Sequence, residues 1–200
     1  MPDVLVPVAR WERWVDNFAG RHGAATLSVS HGGLRGEAGD GSHFVARLPF
    51  GTAYDGLPEA GAFAAAAVPP ASWGVLLVRK GGFAVARLRG ADLVEHKIGQ
   101  RHVQGRTKAG GQSQQRFARR RDNQARQAFE AAADHAARIL APGVVVTGGD
   151  HAAVDAVLAD PRLAGLTVAE PWLTVPDPRR AVLDQAILDA GALRVEVVNA

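Results

Sequence analysis

The chain contains no cysteine. That excludes a disulfide framework, a thiolate zinc centre and a cysteine nucleophile, and it fits a reducing compartment. No apolar run approaches the roughly 18 residues that a membrane-spanning helix needs. The start, Met1-Pro2-Asp3-Val4-Leu5-Val6-Pro7, is too short and too interrupted for a signal peptide. A cytoplasmic protein with no membrane partner is therefore expected. Signatures of cofactor chemistry are also missing. No Gly-Lys-Ser/Thr closes the glycine-rich stretch from His31 to Gly41, and Thr147-Gly148-Gly149-Asp150 lacks the full dinucleotide-binding glycine pattern. That second run fits a tight turn with Asp150 capping a helix. No Gly-x-Ser-x-Gly elbow is present. Of the seven histidines (His22, His31, His43, His96, His102, His135 and His151), none are paired at His-x-x-x-His spacing. Neither a metal nor a cofactor is expected.

What is present bounds the class. In 200 residues, 47% are hydrophobic and 22% charged, which excludes a disordered chain, a collagen and a coiled-coil rod. A chain of this size buries roughly 70% of its unfolded surface and needs no covalent staples. The charge is unevenly placed. Between Arg101 and Arg126 lie eight Lys/Arg and one acid, a formal +7, so a chain of net +3 carries −4 elsewhere. A basic segment on an acidic body points to a polyanion, nucleic acid above all. A solvated basic helix face accounts for the same run.

Residues 8–19 read as an amphipathic helix whose Trp11, Trp14, Val15 and Phe18 fall on one core-facing stripe. A strand follows over 25–30, then a loop over 31–41, a strand over 42–50 and an alanine-rich helix over 57–68 that ends at Pro69-Pro70. Three short runs, 73–78, 83–88 and 93–98, are separated by glycine turns and predict an antiparallel meander. Residues 99–111 read as a long loop. From about Ser113 to Leu140 the pattern predicts one long helix. Ala118, Ala125, Phe129, Ala132, Ala136 and Ile139 form its packing face, and Arg116, Arg119, Arg120 and Arg126 project away from it. The C-terminal third alternates: a strand at 144–146, a helix at 152–158, a strand at 166–168, a helix at 178–190 and a strand at 193–198. The expected fold is α/β, a single domain over 1–200 with a mixed sheet (antiparallel meander plus parallel strands) flanked by helices. Residues 1–70 would be an elaboration on a core of 73–200.

Chemistry concentrates in Gly105-Arg106-Thr107-Lys108-Ala109-Gly110-Gly111-Gln112-Ser113. A basic loop reaches two adjacent glycines and a glutamine, then enters a helix. Paired glycines let the backbone approach a ligand closely. The amides that follow lie at a helix N-terminus, where the dipole favours anionic oxygen. A solvated, glycine-eased turn accounts for the loop equally well if its residues are taken alone.

Gly110-Gly111-Gln112-Ser113, followed by Arg116-Phe117-Ala118-Arg119 and then Arg121, resembles the Gly-Gly-Gln segment of eukaryotic and archaeal class-1 peptide-chain release factors. The resemblance covers roughly residues 73–200. It departs at Gln114 and Gln115, where those factors carry smaller or apolar residues. No codon-reading segment is expected before the motif and no partner-binding segment after it. The expectation is therefore a stand-alone, Vms1-like relative of the compact actinobacterial type.

The resemblance implies the fold of the release-factor catalytic domain and a peptidyl-tRNA hydrolase in ribosome rescue or quality control. Gln112, Gly111 and Gly110 would be catalytic. Arg106, Lys108, Ser113, Arg116, Arg119 and Arg120 would hold RNA. The implied partners are peptidyl-tRNA and the ribosome, through the large subunit and its ribosomal RNA, met by a monomer. Two alternatives stand beside it: a tRNA-cleaving nuclease of the same family, and a non-catalytic RNA- or ribosome-binding module.

Overall fold

The computed structural model describes residues 4–100 and 112–200, with side chains for all of these except 112–125. The first elements in chain order are β1 (Val4–Val6), α1 (Trp11–His22), β2 (Ala25–Ser30), β3 (Gly33–Ala38), β4 (His43–Arg47) and α2 (Ala60–Ala65). Then come β5 (Trp73–Arg79), β6 (Gly82–Arg89), β7 (Asp92–Gln100) and α3 (Gln112–Ile139). The chain closes with β8 (Gly143–Gly149), α4 (His151–Leu158), β9 (Leu166–Leu173), α5 (Arg180–Ala190) and β10 (Leu193–Val198). The class is α/β, and the strands form two five-stranded sheets. The chain divides into two compact units. The first holds residues up to Pro69, Ala169–Pro171 and Ile187–Ala200. The second holds Pro70–Val168 and Trp172–Ala186.

The sheet of the first unit has the order β1-β10-β4-β3-β2 and is antiparallel throughout. The stripe predicted on α1 is core: Trp11 and Phe18 are buried, with Trp14 and Val15 partly so. Trp11, Trp14 and Phe18 each meet the Phe44 ring edge-on, with centroids 5.7, 5.1 and 5.1 Å away. Such edge-to-face pairs add about 0.5–1.5 kcal/mol each beyond area burial. The Trp11 indole Nε1 donates to the Ala60 carbonyl at 3.1 Å, tying α1 to α2.

Three expectations need correction here. The loop over 31–41 contains β3, a full strand paired on both sides. Within β3, Gly33 and Gly36 mark close approaches, while Gly32 and Gly41 sit in the turns that flank it. Gly36 lies opposite Phe44, and a Cβ there would fall 2.2 Å from that ring. The strand over 42–50 stops at Arg47, because Pro49, lacking an N–H, opens a short turn with Phe50 in a left-handed conformation. β10, expected with the 73–200 core, instead pairs with β1 and β4.

The second unit's sheet, β7-β6-β5-β8-β9, is mixed. β5, β6 and β7 form the predicted antiparallel meander, and β8 runs parallel to β5. Leu76, Val78, Phe83, Val85 and Val145 turn one face to α3 and α4, where Ala132, Ala136, Ile139, Val154 and Val157 meet them. Val75, Leu77, Ala84, Ala86 and Val146, on the opposite face, are fully buried too. Burial on both faces explains why the β5 and β8 runs read as continuously apolar.

Candidate active site

The predicted site sits at the junction of β7 and α3. β7 is an edge strand ending at Gln100, and α3 opens at Gln112. Arg106, Lys108, Gly110 and Gly111 lie between them, outside the described residues, as does His102. The helix starts one residue earlier than the pattern predicted, so Gln112 is its first residue and Ser113 its second. The first N–H groups of an α-helix have no acceptor within the helix, and its dipole is positive there. The residue following Gly-Gly therefore carries its amide at an anion-favouring end.

α3 has 28 residues, about 42 Å at 1.5 Å per residue. Arg116 and Arg120 precede Asp134 and Arg138 by 18 residues, about five turns, and so share their helical phase. Asp134 and Arg138 are exposed. Arg119 has the phase of the half-buried Ala137. The side chains of Gln112, Ser113, Arg116, Arg119 and Arg120 lie outside the described set.

The C-terminal half of α3 is fixed by small residues and ion pairs. Ala132, Ala133 and Ala136 let the backbone lie close to the sheet, and the His135 ring stacks on Phe83 with centroids 5.5 Å apart. Arg138 donates to Glu95 of β7 at 2.6 Å, and Arg87 of β6 approaches the same carboxylate at 3.7 Å. On the α4 side, Arg162 holds Asp134 and Asp160, both at 2.7 Å. Hydrogen bonds from the Arg162 side chain, and next from its backbone N–H, hold the Asp160 carboxyl down at about 2. These anchors were missed from sequence. Glu95, Arg138 and Arg162 look like ordinary surface charges, and only the tertiary fold brings them together.

The other candidate motifs resolve into packing. At Gly148 a Cβ would meet the Leu173 carbonyl oxygen, and at Gly149 that of Val78. The pair is thus required by neighbouring strands. Asp150 takes the N-cap position of α4 without a side-chain capping bond. His22 pairs with Asp40 at 2.9 Å, and His151 stacks on Trp172 at 3.6 Å. Among the described residues, no three His, Asp or Glu side chains gather in a way that suits a metal ion. No described helix is long and apolar enough to cross a membrane.

A mixed sheet carrying a long helix that opens directly after Gly-Gly is the arrangement the release-factor resemblance implies. Residues 71–196 match the model of a family described as the Actinobacteria/chloroflexi VLRF1 release factor, acVLRF1. The chain belongs to that family, and membership implies a release-factor-type, ribosome-associated role. The match starts two residues before β5 and ends inside β10, so α3 and the segment before it fall within it. No curated protein matches the chain.

Proposed function

We propose that the chain hydrolyses the ester joining a nascent peptide to the 3′-terminal adenosine of tRNA, in rescue of stalled ribosomes. The observation that carries this reading is that Gln112 and Ser113, which follow Gly110-Gly111 in the sequence, open α3 in a chain of a release-factor family. The reaction is acyl transfer to water, with negative charge developing on the former carbonyl oxygen. A donor aimed at that oxygen lowers the barrier, and losing one costs about 10²- to 10³-fold in rate. The Gln112 backbone N–H supplies that donor at the positive end of α3. Its carboxamide does not titrate near neutrality, so it places the water and does not act as a general base. Gly110 and Gly111 give the backbone access to the ester. Arg106, Lys108, Ser113, Arg116, Arg119 and Arg120 hold phosphates of tRNA or ribosomal RNA without reading bases. The protein acts as a cytoplasmic monomer on the large subunit.

The test is incubation of the purified chain with large subunits carrying peptidyl-tRNA, with both products sized. Free peptide and full-length tRNA are expected. Shortened tRNA would mean nuclease action, and unchanged peptidyl-tRNA would leave a binding module. Gln112→Ala and Gly111→Ala should each abolish release while the circular dichroism spectrum is unchanged. Normal release by either variant would refute the assignment.

A further inference from the structure

The first unit carries a pair of arginines placed where strand pairing disfavours them. In the β4–β10 register, Arg47 lies opposite Arg194 and Ala46 opposite Val195. Ala46 and Val195 are fully buried in the aromatic core, so alternation turns Arg47 and Arg194 to the other face of the sheet. Like charges directly opposite each other destabilise a strand pair. The Arg47 Nη1 donates only to a neutral acceptor, the His31 carbonyl at 3.3 Å. Arg194 meets the Glu170 carboxylate at 2.8 Å, and that carboxylate is 64% exposed. Both arginines line a cleft of about 170 Å³, walled also by Glu170 itself, Pro49, Thr52 and Pro171. The remaining acids on that face, Glu37 and Glu196, do not line it.

The backbone at the cleft is strained as well. Among the described residues, the non-glycine positions with left-handed backbone are His31 (φ 49°) and Phe50 (φ 60°). His31 lines the cleft, and Phe50 sits between the lining residues Pro49 and Gly51. His31 and Gly32 form the two-residue turn between β2 and β3, which requires left-handed backbone. Phe50, after β4, joins no two strands in this way, and conformations held at a cost gather at ligand clamps.

We propose that this cleft receives a backbone phosphate of RNA, gripped by Arg47 and Arg194. Planar guanidinium forks match phosphate oxygens two at a time, and a phosphate there gives Arg47 the charged partner that the His31 carbonyl does not supply. The cleft is smaller than the roughly 300 Å³ at which pockets for whole small ligands begin. It therefore takes one group of a larger molecule, and RNA presents such groups in series. The exposed Glu170 side chain swings away as the phosphate takes its place. This grip belongs to the first unit and is independent of the Gly-Gly-Gln chemistry.

The experiment measures binding of a fluorescently labelled RNA hairpin to the full chain by anisotropy, across salt concentrations. Arg47→Gln and Arg194→Gln should each weaken binding about tenfold. Each should also lower the slope of log affinity against log salt by about 1. Arg35→Gln, whose arginine pairs with Glu37 at 3.2 Å outside the cleft, should leave the slope unchanged. If a glutamine variant does not fold, Arg47→Lys replaces it: the charge stays, the fork is lost, and affinity should fall with the slope preserved. Folded cleft variants with wild-type affinity and slope overturn the proposal. So does displacement of the RNA by a mononucleotide at equal phosphate concentration, which would make a free nucleotide the ligand. The labelled hairpin carries no peptidyl ester, so wild-type binding by the cleft variants would overturn this grip and leave the hydrolase reading standing.

Discussion

Gly36→Ala puts the packing of the first unit to a quantitative test. The added Cβ falls 2.2 Å from Phe44 Cε1 and 2.4 Å from its Cζ. Carbon atoms pack at about 3.5–4.0 Å, so the ring would have to retreat by about 1.3 Å. It has nowhere to go. Phe44 is fully buried, and Trp11, Trp14 and Phe18 hold it edge-on. The backbone at Gly36 is not left-handed, so alanine brings no strain of its own and the cost is overlap alone. Overpacking costs about 1–3 kcal/mol, and a ring caged on three sides sets the upper end, about 3 kcal/mol. Urea unfolding followed by tryptophan fluorescence reads it, since Trp11 and Trp14 belong to the same cluster. Phe44→Leu shortens the obstructing side chain. The double variant should therefore lose less than the sum of the two single losses, by at least about 1 kcal/mol. A Gly36→Ala chain within about 0.5 kcal/mol of the wild type, or strict additivity in the cycle, would refute the close-approach explanation of this glycine.

Two titrations follow from the hydrogen bonding. Asp160 is depressed in the folded state, so its contribution is present above the ordinary 3.8 and is lost as pH falls through about 2. An NMR titration should place its midpoint near 2, and Arg162→Ala should move it part of the way back, leaving the backbone bond; a wild-type midpoint at the ordinary value would contradict the geometry. Tyr54 is the chain's single tyrosine, and its hydroxyl donates to the Leu57 carbonyl at 2.6 Å. Burial, and then the nearby Glu59 and Asp55, push its pKa above 10. Its contribution is complete below pH 10 and is lost as pH rises through the higher folded value. Ultraviolet titration should show tyrosinate forming later in the native protein than in urea, and coincident curves would dispose of the buried hydroxyl.

Elements with one dominant local signal were legible from sequence. The α1 stripe, the β5–β7 meander, the span of β2 and the bounds of α3 to within a residue all follow from periodicity and glycine turns. β3 was not legible, because Gly33 and Gly36 carry opposite meanings in a turn and beneath an aromatic ring, and only the register with β4 decides between them. The placement of β10 was hidden for a similar reason. An alternating strand after a helix states that one face is buried, but not against which sheet. At the site, the motif that opens α3 was legible as a string of residues. The Glu95, Arg138 and Arg162 anchors that fix the far end of that helix depend on contacts 28 and 43 residues apart.

The placement of β10 governs how the proposed activity can be tested. Residues 71–196 carry the family match, so a chain starting near residue 71 is the obvious reagent for isolating the segment proposed to be catalytic. Such a chain would retain β10 and delete β1 and β4, the two strands that flank it. Leu193 and Val195, fully buried in the intact protein, would lose the core that covers them. Exposing each costs about 1.5–3 kcal/mol, and both edges of the strand would present unpaired backbone groups ready to pair with another chain. The 71–200 chain should therefore aggregate on size-exclusion chromatography, and removing residues 187–200 as well should reduce that tendency. A monomeric, cooperatively unfolding 71–200 chain would show that β10 does not depend on its neighbours. Otherwise a loss of release in the truncated protein reports an orphaned strand, and the Gly-Gly-Gln chemistry has to be judged in the full chain.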